Sequence, residues 1–281
     1  MSDLYLVATP IGNLEDITYR AIRILNEVPL IAAEDTRTTK ILLDRYQIDT
    51  SLTSYHDHNK ERKTADLLKH LKNHDLALVS DAGTPAINDP GLYLVKAALA
   101  AGHQVVPIPG PSAPIAALSA SGQATDSFLY LGYLPRKKKS RRDILEIICE
   151  LPYTMVCLET PHRLVEALKD MDDVLGKREI SIARELTKLH EEIFRGSIRE
   201  ALDHYEKTPP KGEITLVVAG KVKGDKWDQK RLLAQIKKRI DTRKVSPSRL
   251  AKELAKESGW SRRDIYDLIQ GLLGREEKSK E

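Results

Sequence analysis

Cysteine is scarce in this chain of 281 residues: Cys149 and Cys157 are the only two, each in an apolar segment. Two such residues build no disulfide framework and read as buried thiols of a reducing compartment. Also missing are a Cys/His spacing suited to zinc, a Walker loop, a dinucleotide glycine fingerprint and a convincing nucleophile triad. No metal is therefore expected. No apolar stretch approaches the roughly 20 residues that cross a bilayer, and Met1-Ser2-Asp3 offers no basic leader. The expectation is a cytoplasmic protein without a membrane partner. What is present is a full complement of core-forming residues. Hydrophobic residues make up 41% of the chain, which excludes disorder for most of its length, and the length itself favours more than one domain.

The first half alternates short apolar strands with amphipathic helices. Leu4–Ala8, Leu30–Ala33, Leu52–Tyr55, Leu76–Val79 and Val105–Ile108 read as strands, and helices are predicted between them. Apolar runs this continuous argue a mainly parallel sheet covered on both faces. This domain is predicted to span 1–122, ending at the break Gly122-Gln123. A second α/β domain, 123–221, opens on the aromatic segment Phe128–Tyr133. Strands follow at Thr154–Leu158, Glu179–Ala183 and Ile214–Ala219, with Arg184 to Lys188 predicted as a turn and a helix around Ile198–Tyr205. Residues 222–281 form a Gly/Lys linker and a helical extension. There Ser246-Pro247 opens one helix, Gly259 breaks it, and Ser261–Asp264 caps the next, a helix-turn-helix in outline.

Three turns stand out because each follows a predicted strand of the first sheet, the edge at which open α/β sheets bind ligands. The first runs from Thr9 to Thr18. The second, Ser80 to Gly91, is stiffened by Gly83, Pro85, Pro90 and Gly91. The third is Pro107 to Ala113, with three prolines and a glycine before Ser112 opens a helix. Backbone close to a ligand and hydroxyls at its polar ends point to a small-molecule cleft. Polar clusters at other strand ends join them: Glu34–Arg37, Glu159–Arg163, and Arg184–Lys188 with His190, Glu191, Glu192 and Arg195. The net charge is only +4, but basic residues cluster at Arg136–Arg142 and through the last fifty residues, among them Lys237, Lys238, Arg243, Lys244, Arg262 and Arg263. Such clusters fit an acidic partner.

Together the motifs Thr9-Pro10-Ile11-Gly12-Asn13-Leu14, Ala33-Glu34-Asp35-Thr36-Arg37, Ser80-Asp81-Ala82-Gly83-Thr84-Pro85, Pro109-Gly110-Pro111-Ser112, Glu159–Arg163, Arg184–Lys188 and Gly212-Glu213 resemble the tetrapyrrole methylase superfamily. The closer resemblance is to its ribosomal RNA small-subunit methyltransferase I branch. That resemblance implies a tetrapyrrole methylase-like α/β fold: two α/β domains with an interdomain cofactor cleft and a small C-terminal helical extension. It further implies S-adenosylmethionine as cofactor, a homodimer, and methylation of a cytidine ribose 2′-hydroxyl of 16S rRNA in the small ribosomal subunit, with no DNA partner. The cofactor residues implied are Pro10, Gly12, Asn13, Asp81, Ala82, Gly83, Thr84, Pro109, Gly110, Ser112, Gly212 and Glu213. A ribose hydroxyl is a poor nucleophile and gains from a base or a positive field. Asp35, Glu159 and Glu185 are the candidate bases. Arg37, Arg184 and Lys188 are the candidates for holding phosphate or stabilising the oxyanion. Tyr55, Phe128 and Tyr133 are candidates for stacking on the cytosine, and Arg136–Arg142 for gripping the backbone. Two alternatives stand beside this expectation: a methyltransferase for a small acidic tetrapyrrole, and a non-enzymatic RNA-binding assembly factor.

Overall fold

The computed structural model describes residues 2–221, 227–242 and 246–277. They form two compact units, Met1–Gly220 and Lys221–Glu281. The linker residues 222–226 and the cations Arg243 and Lys244 lie outside the described residues.

The first unit opens with a five-stranded sheet. Its elements are β1 (Asp3–Val7), α1 (Tyr19–Glu27), β2 (Leu30–Ala33), α2 (Thr36–Arg45), β3 (Ser51–Ser54), α3 (Lys60–Leu71), β4 (Leu76–Val79), α4 (Gly91–Ala100), β5 (Gln104–Ile108) and α5 (Ala113–Ser121). The strand order is β3-β2-β4-β1-β5, and every neighbouring pair is parallel. All four residues of β4 are buried, as an inner parallel strand covered on both faces requires. Pro107 sits in β5, an edge strand, where its missing N–H costs the ladder nothing. This order places β1 between β4 and β5. The turns that follow those three strands therefore emerge side by side.

The second sheet takes β6 (Phe128–Tyr133), β7 (Thr154–Glu159), β8 (Glu179–Arg184), β9 (Glu192–Ser197) and β10 (Ile214–Val218). With them go α6 (Lys138–Ile148), α7 (Pro161–Leu175) and α8 (Ile198–Lys207). Its order is β6-β7-β10-β8-β9; β6 and β7 are parallel and the other pairs antiparallel. The predicted turn from Arg184 to Lys188 is here part of a hairpin, with β9 returning along β8. An edge strand reading Glu-Ile-Phe-Arg-Gly-Ser carries little apolar alternation, so its β character comes from pairing with β8. Ala117 and Leu118 of α5 pack on Val156, Ala183 and Val217, which joins the two sheets through an apolar contact.

Local caps explain where helices begin. Thr18 Oγ1 accepts from the Ala21 amide at the start of α1, and the Asp35 carboxylate accepts from the Arg37 amide at the start of α2. A full capping box opens α8: the Glu200 amide donates to Ser197 Oγ, and the Ser197 amide donates to the Glu200 carboxylate. Ser197→Ala is expected to cost about 1 kcal/mol in a urea melt at neutral pH. The bonds from the Ser197 amide and hydroxyl hold the Glu200 carboxyl below its ordinary value of 4.5. That contribution is present above the ordinary value and lost as pH falls through the lower folded one, so the difference between variant and parent should shrink in acid.

The basic run 136–142 divides in two. Arg136, Lys137, Lys138 and Lys139 are exposed. Arg141 is buried and binds Asp170 through Nε at 2.8 Å and through a second guanidinium nitrogen at 2.6 Å. Arg142 reaches Asp170 and Asp173. The expectation of one continuous backbone grip is corrected here: its last two arginines lock α6 to α7 instead.

The second unit is a three-helix bundle of α9 (Gln229–Thr242), α10 (Pro247–Ser258) and α11 (Arg262–Glu277). Leu232, Ile236, Leu250, Ala251, Leu254, Ile265 and Ile269 fill its core. The Trp260 indole N–H donates to the Trp227 carbonyl at 2.6 Å, closing the bundle at one end.

Candidate active site

The three side-by-side turns are bonded to one another. Thr9 and Gly83 exchange both backbone hydrogen bonds, at 2.9 and 3.0 Å, and Thr9 Oγ1 donates to the Ser80 carbonyl. Thr84 Oγ1 donates to the Pro111 carbonyl at 3.2 Å, tying the second turn to the third. From the other sheet, the tip of the β8–β9 hairpin comes down on the first turn. The Asn13 amide donates to Thr187 Oγ1 at 3.0 Å. A Cβ on Gly12 would stand 2.5 Å from Lys188 Cγ and 2.8 Å from the Leu186 carbonyl, so no other residue fits there without moving the hairpin.

Between these elements lie two adjoining chambers of about 280 and 390 Å³. Ile11, Ser80, Asp81, Ala82 and Glu213 line both and form their common wall. The first chamber continues over Gly83, Thr84, Ser112, Tyr130, Tyr133 and Thr215. The second continues over Pro10, Gly12, Thr38, Thr39, Ile41 and Lys188. Asn13, Pro109, Gly110 and Gly212 flank the chambers without lining either. Gly212 has φ of +82°, and a Cβ there would collide with the Glu185 side chain.

The sequence candidates separate by position. Lys188 is the cation in the second chamber's wall; its Nζ donates to Glu185 at 3.0 Å and to Glu213 at 3.2 Å. Burial pulls this ammonium down, but the bonds to the two carboxylates outweigh it and leave its pKa above the ordinary lysine value. Glu185 accepts from the Glu213 amide and from Lys188, and the first of these does most to lower its carboxyl. Asp35 and Arg37 line neither chamber. They pair with each other at 2.7 Å on an exposed surface, where bonding from the Arg37 side chain pulls the Asp35 carboxyl down to about 2. Arg184 is held by Glu192 at 2.9 Å. Glu159 is buried next to the lining residue Leu158. One of its oxygens accepts from the Thr160 amide and stands 3.3 Å from Arg163 Nε, the other has no hydrogen-bond partner, and burial raises its carboxyl. Tyr55 is buried against Thr64 and is corrected as a stacking surface, whereas Tyr133 is half exposed on the first chamber.

Asp81 is central. It accepts from the Asp35 amide at 2.9 Å, its own amide donates to Glu34, and burial raises its carboxyl. Burial likewise raises Glu34 and Asp89, which also line the first chamber. Backbone strain marks the same place. Ala86, Asn88, Glu185 and Thr187 have φ between 51° and 69°, a region non-glycine residues rarely occupy, and all four lie in the two loops that face each other across the chambers.

The family of Tetrapyrrole (Corrin/Porphyrin) Methylases matches residues 3–202. A ribosomal RNA small subunit methyltransferase I of Halalkalibacterium halodurans is 47% identical over 271 residues, covering 94% of this chain and 93% of its own. The chain belongs to the ribosomal RNA small subunit methyltransferase I family. Its relative of that name in Synechocystis is 44% identical, over 95% of this chain and 97% of its own. The Thermotoga maritima member is 46% identical over 222 residues, which is all of that protein but 79% of this chain. Among solved structures, the uroporphyrin-III C-methyltransferase of Thermus thermophilus complexed with S-adenyl homocysteine has a TM-score of 0.56 at 20% identity, over 78% of this chain and 97% of its own. Diphthine synthase has a TM-score of 0.60 at 13% identity, over 79% and 91%. Those likenesses show the fold: a tetrapyrrole methylase architecture, here followed by a three-helix extension.

Proposed function

We propose that this protein transfers the methyl group of S-adenosylmethionine to the ribose 2′-hydroxyl of a cytidine in the 16S rRNA of the small ribosomal subunit. Family membership supports the reaction class. The observation that carries the reading is the pair of chambers with one shared wall, since a transfer needs donor and acceptor on either side of a single point. Volumes of about 280 Å³ for the first and 390 Å³ for the second lie near the lower end of small-molecule sites, roughly 300–1,000 Å³.

The first chamber fits the cofactor. Glu34, Asp81, Asp89 and Glu213 surround it with carboxylates suited to ribose hydroxyls and a sulfonium. Ile87, Leu158, Ile214 and Tyr130 give apolar faces for an adenine, and the amides at the start of α5, at Ser112 and Ala113, suit a carboxylate. When bound, the cofactor supplies a methyl group already activated on sulfur. The remaining work belongs to the chain. The common wall fixes the direction of attack from the second chamber, and the hairpin tip excludes water. Asp81 takes the proton of the ribose hydroxyl, its basicity raised by burial. Lys188 supplies positive charge to the oxygen as it becomes nucleophilic. Glu185 holds Lys188 in place and Gly212 makes room for Glu185; Pro109 and Gly110 shape the third turn. The division at 122 and 221 belongs to the same reading, with 1–122 and 123–221 closing on the cofactor. So does a homodimer, for which exposed Leu92, Tyr93 and Leu99 on α4 provide apolar surface.

The deciding experiment is transfer of labelled methyl to small subunits from a strain lacking the gene, followed by mapping of the modified nucleotide. Label on a base, or label only on a porphyrinoid, overturns the reading. Arg136, Lys137 and Lys139 are exposed and follow, a few residues on, the chamber-lining Tyr133. Changing all three to glutamine is expected to raise KM for subunits and reduce the slope of log affinity against log salt by roughly 2–3, with cofactor affinity unchanged in calorimetry.

A further inference from the structure

We propose that the three-helix unit at 221–281 is an accessory grip for the phosphate backbone of folded RNA, separate from the chambers that perform the transfer. The inference rests on the rRNA reading above and extends it to a second contact surface.

Charge divides unevenly along the chain. Residues 221–281 hold 18 Lys and Arg against 10 Asp and Glu, a net of +8, which leaves the first 220 residues at −4. The unit that carries the chambers is thus anionic overall and lines its cofactor chamber with carboxylates. A polyanionic substrate gains little long-range attraction from such a body. Beyond the exposed run at 136–139, the attraction has to come from the other unit.

Local pairing points the same way. In the first unit, many arginines and lysines are consumed by carboxylates: Arg141, Arg142, Arg184, Lys188 and Arg199 each bind at least one. In the bundle, Arg239 and Arg249 pair with Glu257 and Glu253. Among the described residues, exposed Lys230, Lys237, Lys252 and Arg263 make no ion pair, and Arg262 bonds only to the Ser248 hydroxyl. Lys230 and Lys237 stand seven residues apart on α9, two turns along one face, beside an open groove that includes Leu233 and Ala234. Arg262 and Arg263 open α11 just after the left-handed Gly259, the second helix of a helix-turn-helix outline. Cations left without counter-charge on all three helices of a small rigid bundle suit a polyanion that wraps or crosses it, since phosphate contacts release counterions and need no base pattern. The family match ends at residue 202, before this unit begins, and the Thermotoga relative aligns over its whole length on 79% of this chain. An affinity module fits that position better than a catalytic part does.

The test uses the full-length protein with two sets of substitutions on exposed positions, Lys230→Gln with Lys237→Gln and Lys252→Gln, and Arg262→Gln with Arg263→Gln, assayed separately and combined. KM for small subunits, filter binding of a double-helical RNA at several salt concentrations, and cofactor affinity by calorimetry are read for each. With five cations neutralised, the combined variant should lower the salt slope by roughly 4, with KM raised at least about tenfold and cofactor affinity unchanged. A unit that merely props up the fold would leave the slope where it is. Unchanged slope and KM in both sets overturn the proposal. If the unaltered protein binds the RNA but methylates no subunits, the rRNA reading fails while the grip survives, so the two are told apart.

Discussion

Lys188→Met is expected to lower kcat for methyl transfer by about 10²–10³-fold, the usual cost of removing one preorganised charge donor from a reacting oxygen. KM for small subunits should move little, because Lys188 faces a chamber and not the exposed basic run. The physical reason is the pair of hydrogen bonds that its Nζ donates, to Glu185 at 3.0 Å and Glu213 at 3.2 Å, which fixes one cation at the wall of the second chamber. Without it two carboxylates face each other and the field at that wall changes sign. Arginine should not restore the rate, since a planar fork cannot take the place of a compact ammonium on this stem. Arg37→Gln is the comparison: that guanidinium is exposed and bound to Asp35 alone, so kcat should stay within about twofold. Single-turnover rates at saturating cofactor measure both. An unchanged rate in Lys188→Met would falsify the role given to this residue.

The largest expected effect on stability lies at a pair that lines neither chamber. Asp170→Ala should cost about 3–5 kcal/mol, because it leaves the Arg141 guanidinium buried without its partner. Both side chains are 2% exposed, and the pair is 2.6 Å apart. Against the 5–15 kcal/mol that holds a typical domain together, that loss is severe. The urea midpoint of the variant measures it. Replacing both residues together, Arg141→Met with Asp170→Leu, should recover most of the loss, since an apolar pair has no desolvation cost to offset. A shift below about 1 kcal/mol for Asp170→Ala would mean that water reaches the pair.

That ion pair also shows where sequence reading stops. In the run 136–142 every cation looks alike, and nothing near Arg141 says that it is buried. The reason is Asp170, 29 residues later on another helix. Edge strand β9 was hidden for a similar cause: its polar residues form a strand only because β8 lies alongside. The three turns were legible because proline and glycine at that density constrain the backbone by themselves, and because strand ends are recognisable from apolar runs. The parallel first sheet was legible for the same reason. The far walls of the chambers were not. Thr38, Thr39 and Ile41 read as an ordinary helix, and Tyr130, Ile214 and Thr215 as ordinary strand residues; only the packing of one sheet over the other turns them toward a cavity. Among the proposed charged groups, Asp35 and Arg37 were conspicuous in sequence but satisfy each other on the surface, while Glu213, named with Gly212 as a cofactor residue, lines both chambers.

The cross-bonding of the turns has a bearing on how mutational data will combine. Thr9 to Gly83 and Thr84 to Pro111 stitch the ends of three adjacent strands into a single seam. Altering one stitch shifts the register of its neighbours, so paired substitutions along the seam will depart from the sum of their separate effects.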